Sequence, residues 1–347
     1  MDLTPPRWVA VVVCLVAAIW GCSARDDARE GGVQVRAGHF PNVTHAQALV
    51  GRAQGRFQKA LEGRAHVSWH VFNAGPSAIE ALFAGELDLA YVGPNPAITG
   101  YARSRGQALR VVSGACSGGA ALVVRADAGI ASASDFAGRS LATPQIGNTQ
   151  DVAARHWLLD NGLSWLEKGG TVRVLPLANS DHLALFLKKE LDASWTVEPW
   201  VSRLVKEAGG RVFLEESSLW PGGRYVTTHL IAATAFLEKH PDLVRDWIRE
   251  QIEITAWIQA HPEEAYADIN RQLQADTGAA LPLPVLQSAF TRLELTEDPL
   301  PEALLTAARQ AFDLGFLGKS MPDLSGLHDL RPLEEARAAA RPEGPAP

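Results

Sequence analysis

Residues 72–98, FNAGPSAIEALFAGELDLAYVGPNPAI, hold a helix, a strand and a loop in immediate succession. Gly75-Pro76-Ser77 opens the helix, because a proline in the first turn has no intrahelical hydrogen bond to lose. The spacing predicts a helix over Ala78–Ala84, stopped by Gly85. Leu87–Val92 is then an apolar strand running into the breaker sequence Gly93-Pro94-Asn95-Pro96. Just upstream, Val67, Trp69 and Val71 alternate with Ser68, His70 and Phe72, the period of a strand. Strand, helix and strand in this order predict an α/β fold with a parallel sheet.

The same alternation extends outward. Val33–Gly38 is a β-type run, His39–Val43 a loop, and the sequence from Thr44 has helical spacing at Ala48, Leu49, Phe57 and Leu61. Leu109–Ser113 and Ala120–Val124 are strands on either side of Ala115–Gly119. A second series begins near Arg125: strand Ser140–Thr143, loop Pro144–Gly147, helix Asn148–Asn161, strand Thr171–Leu175, helix Ser180–Lys189, strand Ala193–Val197 and strand Arg211–Leu214. Tyr225–Ala232 reads as a strand returning to the first series, and the chain beyond it is helical with amphipathic faces.

The chain has 347 residues, 47% of them hydrophobic and 20% charged, enough for a large core and two lobes. Its net charge of −7, from 32 basic and 39 acidic residues, argues against a nucleic-acid binder that neutralises phosphates. At the N-terminus, Arg7 precedes an apolar run, Trp8–Trp20, too short to cross a bilayer and consistent with a secretory signal over residues 1–21. Ile19-Trp20-Gly21-Cys22 resembles a bacterial lipobox, which makes Cys22 the acylated first residue of the mature chain; Trp20 departs from the usual pattern. Cys14 falls in the signal, so Cys116 is left alone and no intramolecular disulfide is expected. Residues 22–32 read as a lipidated tether and 331–347 as a flexible tail.

In open α/β sheets ligands collect at the carboxyl ends of strands, where loops run into helix N-termini. Five such loops lack Lys and Arg: 38–45, 93–98, 117–119, 144–150 and 196–200. Free backbone N–H groups and the helix dipole hold an anion without a cationic side chain. Thr44 is either a simple cap or a ligand contact, and His45 either a structural histidine or a ligand contact. Gly147 permits close backbone approach, while Asn148 and Thr149 bring donors to a helix start. Ser117-Gly118-Gly119, alone, reads as a turn. Trp200 is read as facing the cleft, and Glu198 as meeting a ligand ammonium or orienting a donor from the opposite lobe. There is no GxSxG elbow and no GxxxxGK[ST] loop, Ser180-Asp181-His182 carries no triad geometry, and His66 with His70 lacks a third metal ligand.

The order of these pieces resembles the substrate-binding proteins of bacterial ABC importers for nitrate, taurine and aliphatic sulfonates. The likeness runs through GHFPNVTHAQALVG (38–51), residues 72–98, SDFAGRSLATPQIGNTQDVAAR (134–155) and ASWTVEPW (193–200). It implies a type II periplasmic-binding fold, with lobe one from residues 33–124 and 225–330, lobe two from 125–224, and crossings near Val124 and Arg224. It also implies a monomer that performs no chemistry, uses no cofactor and closes on a small anionic solute, a sulfonate by preference. Its partners would be an ABC permease with its cytoplasmic ATPase, and the membrane through a lipid anchor. Carried over by position, Asn42, Thr44, His45, Asn95, Ser117, Gly118, Gln145, Gly147, Asn148 and Thr149 face the cleft, Glu198 and Trp200 close its far wall, and Thr228 with His229 joins from the return strand. Phe40, Trp200 and Trp220 are the expected apolar wall. The alternatives are an enzyme of the related pyrimidine-synthesis family, disfavoured by the scarcity of cysteine, and a binder of a thiamine pyrimidine precursor, nitrate or bicarbonate.

Overall fold

The computed structural model describes residues 32–340. Eleven strands form two sheets among these residues. The strands are β1 (Val33–His39), β2 (Ala65–Val71), β3 (Leu89–Val92), β4 (Leu109–Gly118), β5 (Ala120–Arg125), β6 (Ser140–Thr143), β7 (Arg173–Pro176), β8 (Ala193–Val197), β9 (Gly210–Glu215), β10 (Val226–Ala233) and β11 (Leu293–Leu295). The first sheet has the order β11-β4-β10-β3-β1-β2 and the second β7-β6-β8-β5-β9. In each, the parallel strands are the ones that feed helices: β1 pairs with β2 and β3, and β6 with β7 and β8. The chain's crossover strands, β10 and β5, are antiparallel to their neighbours.

Each sheet is covered on both faces. Leu49, Phe57, Trp247 and Ile254 pack on one side of the first sheet, where the Phe57 and Trp247 rings stack 4.1 Å apart. Ile79, Ile98, Tyr101 and Leu304 fill the other side. In the second lobe Phe136, Trp157, Leu158 and Trp195 form one layer, and Phe186, Val201 and Leu204 the other. Burying each such large apolar side chain stabilises the fold by roughly 1.5–3 kcal/mol.

Two boundaries differ from the sequence-based expectation. The first change of sheet falls at Gly118-Gly119 rather than near Val124, because β5 is hydrogen-bonded between β8 and β9. Both glycines have positive φ (78° and 80°), a conformation that side chains other than glycine's resist. Around this joint Gly119 N–H donates to the Arg292 carbonyl at 2.8 Å, Glu198 N–H donates to the Gly119 carbonyl at 2.7 Å, and Ala120 N–H donates to the Tyr225 hydroxyl at 2.9 Å. The expected flexible tail is in part a helix: Arg331–Ala340 packs on the long helix Pro241–Ala260, with Leu333 and Ala336 in the core. Its buried leucine and alanine lie on one face, which docks the segment on the first lobe although it lies at the chain terminus. The signal, Cys22 and nearly all of the tether, which ends at residue 32, lie outside the described residues. Among the described residues no helix is long and apolar enough to cross a membrane.

Candidate functional site

The carboxyl ends of β1, β2, β3, β6, β7 and β8 point toward one another across the gap between the sheets, and each hands the chain to a helix or loop. Four of these handovers meet at one cavity. After β1, Asn42 precedes a 3-10 turn (Val43–His45) that leads into the helix Ala46–Ala53. After β3, Gly93 precedes the helix Pro94–Arg103. After β6, Asn148 precedes Thr149–Asp160, and after β7, Ala178 precedes Asn179–Leu187. The cavity is lined by Phe40, Asn42, Thr44, His45, Asn73 and Gly93 from the first lobe's leading segment, by Pro144, Asn148, Thr149, Gln150, Asn179 and Val197 from the second lobe, and by Thr227 of β10. It encloses about 20 Å³, room for little more than a water-sized group, so the two lobes are shut on it.

None of the lining side chains carries a permanent charge. His45 is buried, and desolvation holds its imidazole well below the ordinary range, hence neutral; its Nδ1 accepts the Phe40 N–H at 3.4 Å. The positive ends of helix dipoles and the free N–H groups of the first turns therefore set the potential, which favours negative charge. The Asn42 and Asn148 side chains make no capping bond, so their amides are not committed to their own helices. The Thr149 hydroxyl oxygen is buried with no hydrogen-bond partner, which is costly unless a ligand supplies one.

The second-lobe loop is held from below by a residue that the sequence reading did not select. Asp151, fully buried, accepts hydrogen bonds from Thr143 Oγ1 (2.8 Å), from Gly147 N–H (3.0 Å) and from Arg155 Nε (2.9 and 3.0 Å). Its signal was the Asp151–Arg155 spacing of four on one helix. The lobes meet directly at two further places. Trp200 Nε1 donates to Asn42 Oδ1 at 3.0 Å, and Arg292 of the first lobe donates to Glu198 Oε1 (3.3 Å) and to Glu215 Oε1 (3.0 Å) of the second.

Of the residues selected from sequence, Asn42, Thr44, His45, Asn148 and Thr149 lie together on the cavity wall. The others do not line it. Asn95 falls inside the first turn of the Pro94 helix rather than in a loop, and its Nδ2 donates to the Ala307 carbonyl at 3.3 Å. Ser117 and Gly118 belong to β4, where they pair with β10 and β11. Gln145 and Gly147 shape the loop: the Gln145 carbonyl accepts Asn148 N–H, and Gly147 takes φ 73°. Glu198 is buried in the second lobe, accepting from Ser202 N–H at 3.0 Å and Ser202 Oγ at 2.9 Å; burial pushes its carboxyl up to about 7 against these bonds and Arg292. Trp200 seals the rim through Asn42. Thr228 points to the opposite face of β10 from Thr227, and His229 Nε2 bonds the Pro299 carbonyl at 2.8 Å. Of the expected apolar wall only Phe40 remains; Trp220 stacks on Tyr225 (5.5 Å) away from the cavity.

A larger groove, about 830 Å³, opens at the far end of the first sheet, but its Arg36 and Arg103 are paired with Asp88 and Glu80. Among the described residues no group of three or more His, Cys, Asp or Glu side chains is placed to hold a metal ion.

The taurine-binding periplasmic protein of Escherichia coli (strain K12) is 24% identical to this chain over 219 residues, which are 62% of this chain and 64% of that protein. The match thus spans a little under two thirds of that relative's length. A putative aliphatic sulfonates-binding protein of Bacillus subtilis (strain 168) is 23% identical over 323 residues, 91% of each chain. Among solved structures, the alkanesulfonate-binding protein from Xanthomonas axonopodis pv. citri bound to MOPS superposes with a TM-score of 0.70 at 19% identity, over 85% of this chain and 97% of that one. The periplasmic nitrate-binding protein from Synechocystis PCC 6803 superposes with a TM-score of 0.73 at 13% identity, over 89% of each. These likenesses establish the periplasmic-binding-protein fold. Matched by that family's profile over residues 28–271, the chain belongs to the NMT1-like family.

Proposed function

We propose that this protein is the extracytoplasmic solute-binding component of an ABC importer: it closes two lobes on a small anion and presents the closed form to a permease with its cytoplasmic ATPase. It catalyses no reaction. The observation that carries this reading is the meeting of four helix starts from both lobes on one shut cavity without a cationic side chain. Such a site suits a monoanion better than a dianion, because partial dipole charges and neutral donors offset one negative charge more completely than two. With Trp200 held at the rim and Trp220 turned away, the remaining apolar contacts are Phe40, Pro144 and Val197, so a sulfonate would carry only a short tail and the cavity would widen to admit it. The names of the relatives point the same way, to taurine, aliphatic sulfonates and nitrate. The lobes act as a two-state device, and ligand shifts it by binding the closed form more tightly. A lipid on Cys22 would hold the monomer at the membrane.

Thermal unfolding in the presence of short alkanesulfonates, taurine, nitrate and methylphosphonate tests this. A cognate monoanion at 100 times its dissociation constant adds about 2.7 kcal/mol and raises the midpoint. A panel in which no monoanion raises it, or in which only the phosphonate does, overturns the reading.

A further inference from the structure

We infer that the cleft selects a sulfonate whose tail carries no ammonium group, so that it takes a short alkanesulfonate and discriminates against taurine (2-aminoethanesulfonate), and that Trp200 is a positioning residue for this choice. The selection rests on the anion reading above and follows from which end of each lining side chain is left free. Asn42 Oδ1 accepts the Trp200 indole N–H at 3.0 Å, Asn179 Oδ1 accepts the Thr196 hydroxyl at 2.8 Å, and His45 Nδ1 accepts the Phe40 N–H at 3.4 Å. An indole or peptide N–H can only donate, so the orientation of the Asn42 amide and the tautomer of the neutral His45 ring are fixed by chemistry. What is left without a partner among the described residues is a donor in each case: the amino groups of Asn42 and Asn179 and the Nε2–H of His45. The Thr149 hydroxyl, buried and unpartnered, joins them.

An ammonium group brings a full positive charge and three donors of its own, and the cleft answers neither. Among the described residues no Asp or Glu lines the cavity. The carboxylates adjacent in the chain to lining residues are bound elsewhere: Asp151, beside Gln150, to Thr143, Gly147 and Arg155, and Glu198, beside Val197, to Ser202 and Arg292. The Thr227 hydroxyl donates to the Gly118 carbonyl and so can offer an oxygen, and the amides of Asn73, Asn148 and Gln150 can turn either end inward. Neutral acceptors do not balance a cation buried among the positive ends of four helix dipoles, the same potential that favours the sulfonate. Discrimination then comes from the unpaired charge of the wrong ligand, not from an added contact to the right one.

Trp200 acts through Asn42. The two residues belong to opposite lobes, so the indole fixes the Asn42 amide only when the lobes are shut. Without the indole N–H the amide is free to turn its oxygen inward, and part of the bias against a ligand that carries donors is lost.

Calorimetric titration of the full chain at pH 7 compares taurine with propane-1-sulfonate, which has the same length and a methyl group in place of the ammonium; ethanesulfonate and nitrate are titrated alongside. Propane-1-sulfonate is expected to bind at least about tenfold more tightly than taurine, the effect of leaving one buried polar group unpaired. Trp200→Phe keeps an aromatic ring and removes the donor. The ratio of the two dissociation constants should then shrink by about threefold or more, whereas lost packing alone would weaken both ligands equally. A smaller difference in the wild type, or a preference for taurine, overturns the selection and leaves the importer reading standing. So does failure of both three-atom tails while ethanesulfonate binds, because length and not charge would then decide, and so does binding of nitrate alone. An unchanged ratio in Trp200→Phe overturns the positioning role. If nitrate and both alkanesulfonates fail to bind, the anion reading itself falls, and the selection with it.

Discussion

Gly93 and Thr149, from opposite lobes, approach so closely that a methyl group on Gly93 would lie less than 3.0 Å from Thr149 Oγ1. Gly93 has φ −71°, which alanine adopts freely, so the backbone does not require glycine here. The shut state does. Gly93→Ala is expected to fold normally and to resist closure, weakening ligand binding about tenfold or more, the scale of a strained close contact. Calorimetry together with the radius of gyration checks this; an unchanged affinity would mean that the lobes need not come so near.

Thr149 Oγ1 is the buried donor left without a partner. If it completes the ligand's hydrogen bonds, Thr149→Val keeps the shape and removes the donor, and affinity should drop about tenfold, as for a bond to a charged group. The unliganded melting midpoint should hold or rise slightly, since an orphaned hydroxyl is replaced by a methyl. A variant that binds as well as wild type would place the ligand elsewhere.

Asp151 joins Thr143, Gly147 and Arg155 beneath the Asn148 helix start. Asp151→Asn leaves Arg155 buried without its counter-charge, and the expected loss is about 3 kcal/mol of stability, read from urea denaturation. Replacing both residues by leucine should recover part of it, because the unpaired charge is then gone.

Glu198 gives a pH dependence of definite sign. Its carboxyl is raised to about 7 from an ordinary 4.5, chiefly by burial. A raised acid holds its proton more tightly when folded, so its contribution is fully present below pH 4.5 and is lost as pH climbs through 7. Relative to Glu198→Gln, the wild type should lose roughly 3 kcal/mol between these limits. The buried histidines His39, His182 and His229, lowered to about 4, run oppositely: their contribution is present above pH 6.5 and lost as pH falls through 4. Urea midpoints of both proteins at pH 5 and pH 8 separate the two, because the histidines are common to both; a constant difference would contradict the buried-acid account.

The sequence carried the lobes and half of the site because their determinants are local. Strand period, glycine stops and helix-start residues place Asn42, Thr44, His45, Asn148 and Thr149 at strand ends without knowledge of the partner lobe. Asn179 had the same signal, an amide between β7 and a helical run, one residue before the predicted helix start. Thr227 was missed in favour of Thr228 because adjacent strand residues face opposite sides, and only the pairing of β10 with β4 and β3 decides which side is the cleft. Asn95 went astray because Pro94 starts a helix, which turns the amide toward Ala307. Asp151 had only the local signal of its spacing from Arg155, which does not show that Thr143 and Gly147 also converge on it; Asn73 depends on contacts between separate segments and Trp200 on a partner across the lobes, which no window of sequence holds.

The central claim is that neutral donors from both lobes close on one monoanion. Small-angle scattering of the protein with and without saturating ethanesulfonate, paired with calorimetric titration of the same samples, tests it most directly. The account predicts one site per chain and a smaller radius of gyration with ligand, both lost when Asn148 and Thr149 are replaced together by Ala and Val. Binding that leaves the dimensions of the protein unchanged, or that survives the double replacement, would contradict it.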